Sequence, residues 1–588
     1  MNELLRPCRN VFVTFRKICL DRRVFNLFLA IAIGTLSGLG AVLFHHILQG
    51  AQYAFYQESG DILGFYGGLA RWKLFLLPAL GGLIVGIIVR YGASEAKGHG
   101  VPEVMSALTL KGGRIRKRVA LVKIIASAVC IGSGGSSGRE GPMVQIGSSV
   151  GSTLGQLFRV PVMEQRTMVG CGAAAGIAAT FNAPIAGTLF ALEILVGDFG
   201  LSSFSPVVLS SVTATAISRA YWGDLPTFNL PLYEIHSFWE YGIYPFLGIL
   251  AGLAAVLFIS VLYASEDFFE RLALPDWTKP GLGGLLLGSV LFFFPHVFGV
   301  GYGSMNLALH GRLPGLMLLA LVFAKVIATS CTLGSGGSGG IFAPSLFIGA
   351  MTGGFFGWLA MLLFPGYVAP SGAYALVGMG AVVAGTTQAP ITAILILFEM
   401  TGDYKIILPM MITCIIATLT ASAIKSGSIY TLKLKKRGID ISGGLEQNIL
   451  RTLRVGSFMY KGPATIPEDM LLIDIIQTFR SDDASYLHVL DDKGLLAGII
   501  SFRDIRPYMN EECFGKGTTA GKICTKDPVT VTPQDSIQSA LAIMGQHGIS
   551  QLPVVESGGT RRLLGTLPQR DVLAAYDKAV LKREIQES

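Results

Sequence analysis

Two similar glycine-rich segments decide how this chain folds. Residues 132–151 read GSGGSSGREGPMVQIGSSVG, and residues 334–353 read GSGGSGGIFAPSLFIGAMTG. The GSGGS, a following glycine, a proline and an Ile-Gly pair coincide at an offset of 202 residues. Proline is typical of the first turn of a helix, and glycine allows a tight loop before it. The pattern predicts two copies of one loop that opens a helix.

Three further elements repeat in the same order, which indicates a duplicated architecture. Lys123 pairs with Lys325, Gly-His-Gly at 98–100 pairs with Gly-Tyr-Gly at 301–303, and Ala-Pro-Ile followed by glutamate recurs at 183–193 and 389–399. We therefore expect two halves of similar structure, near residues 24–222 and 237–430.

The composition assigns most of the chain to a membrane. Of 588 residues, 51% are hydrophobic and 14% are charged, with a mean hydropathy of +0.56, whereas soluble domains carry about 25% charged residues. Several apolar segments, such as 119–131, 184–196 and 390–400, are shorter than the ~20 residues that span a bilayer. Short segments interrupted by Gly and Pro are typical of broken helices that line a cavity. We expect an all-α polytopic membrane domain over 24–437.

Clusters of basic residues predict the orientation in the membrane. They lie at 6–23, 114–118 and 433–437, and such clusters are typical of the cytoplasmic side. This assigns a cytoplasmic N-terminal segment (1–23), a linker (438–454) and the C-terminal region to the inside of the cell.

The C-terminal region is itself a repeat. Residues 463–505 resemble 528–572, each with a Thr-containing strand, a helix, two short β-rich runs and a terminal Arg-Asp. We expect two α+β modules, at 455–510 and 518–580. Residues 455–588 hold 14 basic and 17 acidic side chains, so this soluble part is acidic and nucleic acid is not an expected partner.

Glycine-rich loops that open helices are suited to holding an anion. Their backbone N–H groups can approach a ligand closely, and the helix N-terminus carries a partial positive charge. Two such termini can face each other at the bilayer midplane. The alternative is that these glycines only pack helices together, as small residues do in membranes.

Glu140 lies inside the first copy, in the sequence Gly-Arg-Glu-Gly-Pro. A carboxylate in an anion site can occupy that site as a tethered anion, and protonation would free the path. An intramembrane carboxylate is a functional candidate; the alternative is a helix cap. At the repeat offset stands Phe342 rather than a second carboxylate, which argues against cation transport.

Four separated motifs resemble the signature segments of the CLC family of chloride channels and proton/chloride exchangers. They are GHGVPE (98–103), GREGP (138–142), GSGGSGGIFAP (334–344) and SIYTLKL (428–434). The C-terminal modules resemble paired cystathionine-β-synthase (CBS) domains. The resemblance implies a CLC fold of two inverted repeats with broken helices, followed by an α+β tandem CBS pair. It also implies a homodimer with one chloride pore per subunit, in the bacterial inner (plasma) membrane, and no enzyme activity.

The resemblance also implies which residues form the pore. Glu140 corresponds to the gating glutamate. Tyr430 is similar to the pore tyrosine, although an interfacial tyrosine is the alternative. His99 replaces the usual pore serine and is either a hydrogen-bond donor to the anion or a packing residue. The implied anion-binding residues are His99, Gly138, Arg139, Gly141, Ile341, Phe342 and Tyr430.

A second departure concerns proton coupling. In the family's exchangers a cytoplasm-side glutamate relays the proton, and Ile194 stands at that position here. Isoleucine cannot carry a proton, which favours a passive channel. Adjacent Glu193 is an alternative relay, so a proton-coupled antiporter stays open. A membrane-anchored nucleotide sensor without transport is a third hypothesis, which leaves the duplicated loops unexplained.

The CBS pair resembles adenine-nucleotide sensors. Ser501 and Asp504 preserve the family's hydroxyl-plus-carboxylate pattern for ribose, whereas Pro568 replaces the hydroxyl before Asp571 in the second module. The alternative is a dimerising platform that binds no nucleotide. No cofactor is required for transport. The eight cysteines form no Cys-x-x-Cys, so neither a disulfide framework nor a metal site is predicted.

Overall fold

A computed structural model describes residues 22–224, 228, 238–439, 453–481, 485–508 and 517–572. The chain divides into two compact units, Met1–Ile439 and Asp440–Ser588. Nearly all of the predicted N-terminal segment 1–23, with its basic cluster, and most of the linker 438–454 lie outside the described residues.

The first unit is helical throughout the part that the structure describes. Short helical turns join its helices, and a π-helical turn, Ala191–Val196, extends α7. The helices are α1 (Arg22–Tyr56), α2 (Arg71–Tyr91), α3 (Val101–Leu110), α4 (Arg118–Gly132), α5 (Glu140–Leu157), α6 (Val162–Phe181), α7 (Pro184–Phe190), α8 (Leu201–Trp222), α9 (Tyr244–Arg271), α10 (Lys279–Phe293), α11 (Tyr302–Leu309), α12 (Gly315–Gly334), α13 (Phe342–Leu363), α14 (Ser371–Thr387), α15 (Pro390–Thr401), α16 (Ile407–Ile424) and α17 (Thr431–Lys436).

Helix lengths confirm the prediction of broken helices. Within the described ranges, seven helices are long and apolar enough to cross a bilayer, whereas others are far shorter. Helix α15, with 12 residues, measures about 18 Å at 1.5 Å per residue, against a hydrocarbon core of about 30 Å. The first unit therefore combines helices long enough to span a bilayer with helices too short to do so, as expected for an all-α polytopic membrane domain.

Equivalent helices of the two halves make equivalent contacts, which confirms the duplication. Helix α5 packs on α6 and α6 on α8, as α13 packs on α14 and α14 on α16. Across the halves, α2 packs on its counterpart α10, and α7 on its counterpart α15. A two-fold relation brings an element against its own equivalent in this way.

Some glycines pack helices together, which is the alternative role predicted for them from the sequence. A Cβ added to Gly147 would lie 2.0 Å from the carbonyl oxygen of Gly172, and one on Gly349 would lie 2.3 Å from that of Gly378. Helices α5 and α6, and likewise α13 and α14, therefore pack with their backbones almost touching, as small residues permit in membranes.

The second unit is α+β, and its strands belong to two sheets. Strand β1 is parallel to β2, β2 pairs antiparallel with β3 and β3 with β4, whereas β5 and β6 form a separate antiparallel pair. Its described elements are β1 (Thr465–Pro467), α18 (Leu472–Ser481), β2 (Tyr486–Leu490), β3 (Leu496–Ser501), α19 (Phe502–Ile505), α20 (Ala520–Ile523), β4 (Thr525–Lys526), α21 (Ile537–His547), β5 (Gln551–Val555) and β6 (Leu563–Pro568).

The two C-terminal modules have separate cores of the same design. In the first, Leu487 of β2 pairs with Ile500 of β3, and both pack under α18. In the second, Leu552 of β5 pairs with Leu567 of β6 under α21. Each module buries one face of a hairpin against a helix, which agrees with the predicted strand–helix–strand–strand repeat.

Candidate functional site

The two copies of the glycine-rich loop meet backbone to backbone inside the first unit. The Gly138 N–H donates to the Gly340 carbonyl at 2.7 Å, and the Gly340 N–H donates back at 2.6 Å. A third loop joins them, because the Gly98 N–H donates to the Gly337 carbonyl at 2.9 Å. Residues from both halves of the duplication therefore form one junction.

Glycine is required where these loops touch. A Cβ on Gly141 would lie 2.4 Å from the carbonyl oxygen of His99, and a Cβ on Gly340 would lie 2.7 Å from the Gly141 nitrogen. Gly98 and Gly100 also have positive φ angles, 75° and 81°, which other residues rarely adopt. The junction is therefore built from main chain, with almost no side chain between the loops.

Two helices begin at this junction. Helix α5 starts at Glu140 and α13 at Phe342, and the first intrahelical acceptor of α13 is the Ile341 carbonyl, bonded by Ser345 N–H at 3.0 Å. The first-turn N–H groups of a helix have no acceptor within it, and the helix dipole adds positive potential. Ile341 and Phe342 are both buried. The geometry suits a dehydrated anion held by main-chain amides.

The Glu140 carboxylate lies between the two loops and is fully buried. Its Oε1 accepts a hydrogen bond from the Tyr302 hydroxyl at 3.3 Å. A Cβ on Gly138 would lie 2.1 Å from Glu140 Oε2 and 3.2 Å from the Ala343 backbone nitrogen. Because the Gly138 amide already bonds to Gly340, this glycine leaves space for the carboxylate and does not offer its own N–H.

Arg139 points away from the junction. Its Nη1 lies 3.4 Å from His45 Nδ1, and its guanidinium carbon lies 5.4 Å from the centre of the Tyr302 ring. It lines two cavities of about 230 and 200 Å³. The arginine therefore contributes positive charge to these cavities, beside the loops that hold Glu140.

His99 and Tyr430 face each other beside the junction. Both are buried, at 3% and 1% exposure, and their ring centroids are 6.0 Å apart. Neither ring nitrogen of His99 has a hydrogen-bond partner among the described residues. Buried polar atoms normally have one. His99 therefore offers unbonded ring nitrogens at a buried position that faces Tyr430.

Two buried lysines brace the loops in the same way in each half. Lys123 Nζ donates to the Gly98 carbonyl at 2.7 Å, and Lys325 Nζ donates to the Gly299 carbonyl at 2.9 Å. The sequence identified these lysines as a repeated pair but did not indicate what they contact. Both amines therefore bind main-chain carbonyls of the loops that lie beside the junction.

The predicted proton-coupling position lies on the π-helical turn after α7. Ile194 is half-buried there, and the carboxylate of its neighbour Glu193 accepts bonds from the Thr392 N–H at 2.8 Å and the Thr392 hydroxyl at 2.6 Å. Reciprocally, Glu399 accepts a bond from the Ala186 N–H at 2.7 Å. Each glutamate caps the first turn of the opposite half's helix, so α7 and α15 run antiparallel, as inverted repeats require.

In the second unit, a cleft of about 830 Å³ is lined by Tyr460, Tyr486 and Asp571. The predicted ribose contacts of the first module, Ser501 and Asp504, lie elsewhere. Asp504 Oδ2 accepts bonds from both the N–H and the hydroxyl of Ser501, each at 2.7 Å. These two residues form a capping box for α19, whereas Asp571 lies at the cleft, with its Oδ1 3.6 Å from Arg570 Nε.

Tyr302 is a site residue that the sequence reasoning missed. The repeat alignment could have identified it, because the Gly-Tyr-Gly loop pairs with the Gly-His-Gly loop that carries His99. Both aromatic residues reach the junction, one from each half.

Comparison with known proteins agrees with the fold. The voltage gated chloride channel family model matches residues 81–422, and the CBS domain model matches residues 455–511 and 520–578. The chain is 34% identical over 411 residues to the voltage-gated ClC-type chloride channel ClcB of Escherichia coli, which covers 69% of this chain and 97% of that protein.

Two solved structures have the same fold. One is a slow cyanobacterial Cl⁻/H⁺ antiporter, with a TM-score of 0.64 and 29% identity over 71% of this chain and 99% of that one. The other, a eukaryotic CLC transporter, has a TM-score of 0.60 at 20% identity and covers 93% of this chain and 97% of that one. With its duplicated glycine loops, broken helices and two C-terminal modules, the chain belongs to the CLC family of voltage-gated chloride channels and carries a pair of CBS domains.

Proposed function

We propose that this protein is a passive chloride channel in which Glu140 is the gate. One observation carries the proposal: the two glycine loops bond to each other at Gly138 and Gly340, and the Glu140 carboxylate lies between them. A carboxylate and a chloride ion carry the same charge, so they compete for one electropositive place. Protonation of Glu140 removes its charge and lets chloride pass.

The chloride ion is held mainly by backbone. The amides of Ile341 and Phe342, at the start of α13, are its main-chain donors, and the buried His99 and Tyr430 add a ring N–H and a hydroxyl donor. Gly141 permits the close approach, and Arg139 attracts anions from the adjoining cavities. Main-chain amides and a hydroxyl carry only partial charge, so the ion can leave quickly.

Passive conduction is supported by the surroundings of Ile194. Isoleucine cannot carry a proton, and the neighbouring Glu193 already accepts short bonds from Thr392. The competing function is a proton-coupled chloride antiporter, for which the 29%-identical cyanobacterial antiporter is the supporting observation.

Flux measurements on protein reconstituted in liposomes test the proposal. A chloride gradient should drive chloride efflux without moving protons, and lowering the pH should increase the efflux. Glu140→Gln should give a high flux that no longer depends on pH, whereas Glu58→Gln, at an exposed position, should behave as wild type. Stoichiometric proton movement would make the protein an antiporter, and no anion flux at all would leave only a nucleotide sensor.

We further propose that an adenine nucleotide binds in the C-terminal cleft. Tyr460 and Tyr486 offer aromatic faces for the base, and Asp571 offers a carboxylate for the ribose hydroxyls. Ser501 and Asp504 are engaged with each other, which supports this cleft over the one predicted at the first module.

The remaining proposals concern assembly and location. The protein works as a homodimer in the bacterial inner membrane, with its N-terminus and both CBS domains in the cytoplasm. The domain boundaries are 24–437 for the membrane domain, 455–510 and 518–580 for the modules. Cysteine accessibility from each side of the membrane, measured at residues 5 and 560 in a cysteine-free background, tests the orientation.

A further inference from the structure

Tyr302 is fixed in place at the edge of the junction. It begins α11, its ring centroid lies 5.7 Å from that of Phe228, and its face lies 5.4 Å from the guanidinium carbon of Arg139. A cation over an aromatic face is attracted to it. With the ring held between these two side chains, the hydroxyl reaches Glu140 Oε1 at 3.3 Å.

The loop that precedes Tyr302 is held by contacts with α12 and α13. Lys325 Nζ donates to the carbonyls of Val297 and Gly299 at 3.1 and 2.9 Å, and a Cβ on Gly301 would lie 2.8 Å from the Phe347 ring. The backbone before Tyr302 therefore has little freedom to move. A rigid donor beside a side chain that must move is suited to act as a latch.

We propose that Tyr302 is a positioning residue that latches the Glu140 carboxylate in the closed position. The inference rests on the proposed function of Glu140 as the gate. A phenol donates a stronger hydrogen bond to a carboxylate than to a neutral carboxyl group. The bond therefore stabilises the charged, closed form, and protonation of Glu140 weakens it at the moment when the gate opens.

The other ionisable groups near Glu140 play a different part. Arg139, which precedes Glu140, Lys325 from α12 and Tyr430, which precedes α17, all interact with it electrostatically. Tyr302 differs from these three residues, because its hydroxyl donates a hydrogen bond to the Glu140 carboxylate. Removing that hydroxyl should loosen the gate while the field of the neighbouring charges stays.

Tyr302→Phe tests the latch, because it removes the hydroxyl and keeps the ring. Chloride efflux from liposomes is measured as a function of pH for wild type, Tyr302→Phe, Glu140→Gln and the double variant. A lost hydrogen bond to a charged group corresponds to about tenfold in the open-to-closed ratio, so the midpoint of activation should move up by about one pH unit. Tyr221→Phe, which removes a hydroxyl bonded to His46, is the matched control and should leave the midpoint unchanged.

Comparison of the four proteins shows whether the gate at Glu140 or only the latch at Tyr302 is wrong. If Glu140→Gln retains the wild-type pH dependence, the gate itself is wrong. If Glu140→Gln abolishes it but Tyr302→Phe matches wild type, the latch alone is overturned. A Tyr302→Phe effect that persists in the double variant also overturns the latch, because the hydroxyl would then act directly on the anion. Replacing Tyr302 by 3-fluorotyrosine, a more acidic donor of similar size, should move the midpoint to lower pH and serves if the phenylalanine variant does not fold.

Discussion

The reciprocal caps between the two halves make a quantitative prediction. Glu193→Ala removes the acceptor for the Thr392 N–H and hydroxyl, and Glu399→Ala removes the acceptor for the Ala186 N–H at 2.7 Å and the Ile185 N–H at 3.0 Å. In each variant, at least one first-turn N–H group loses its hydrogen-bond acceptor. The substitution also removes a negative charge from beside a helix N-terminus.

The expected loss of stability is similar for the two variants. Hydrogen bonds to a charged group are worth about 1.5–3 kcal/mol each, and the interaction with a helix dipole adds about 0.3–1 kcal/mol. Both glutamates are only half-buried, so water replaces part of what is lost. We expect each variant to lose about 2–3 kcal/mol relative to wild type. Glutamine at either position should cost less, because its carbonyl oxygen can still accept.

Thermal unfolding in detergent, followed by the fraction of monodisperse protein, measures the effect, and chloride flux is recorded from the same preparations. Both alanine variants should have lowered Tm values and near-normal flux below their Tm, and Glu58→Ala should match wild type. The cap explanation is refuted if Glu193→Ala unfolds at the wild-type Tm. A normal Tm for Glu399→Ala would contradict the symmetry of the caps.

Three other measurements test separate parts of the molecule. A crystal soaked in bromide should show anomalous density beside the amides of Ile341 and Phe342, and empty density there would contradict the main-chain cradle. Asp571→Ala should weaken ATP binding to the full-length protein by about tenfold in calorimetry, whereas Asp504→Ala should leave it unchanged; the reverse result would return the site to the first module. Burial lowers the pKa of His488 below its ordinary 6.5, so the unfolded chain binds the proton more readily and the C-terminal unit should lose stability as the pH falls below about 6.5. His488→Gln should flatten that dependence in thermal unfolding, and an unchanged pH profile would show that this histidine is not responsible.

Local sequence patterns were sufficient to predict where several helices begin and end. The repeated GSGGS segments predicted loops that open helices, and α5 and α13 begin within them. The short apolar runs at 184–196 and 390–400 predicted helices too short to span a bilayer, as α7 and α15 are. These predictions succeed because glycine, proline and hydrophobic run length act through the backbone nearby, and need no distant partner.

The contacts between the halves needed the tertiary structure. Tyr302 lies 162 residues from Glu140 in the chain, and no local pattern indicates that its hydroxyl reaches the carboxylate. Gly138 was among the implied anion-binding residues, and no local pattern indicated that its amide bonds to Gly340, where the two loops pack against each other. Glu193 was predicted as an alternative relay, and the sequence did not indicate that the antiparallel packing of α7 on α15 brings its carboxylate to Thr392. Duplication determines that two similar halves exist; only their inverted packing decides which loop, cap and hydroxyl face each other across the membrane interior.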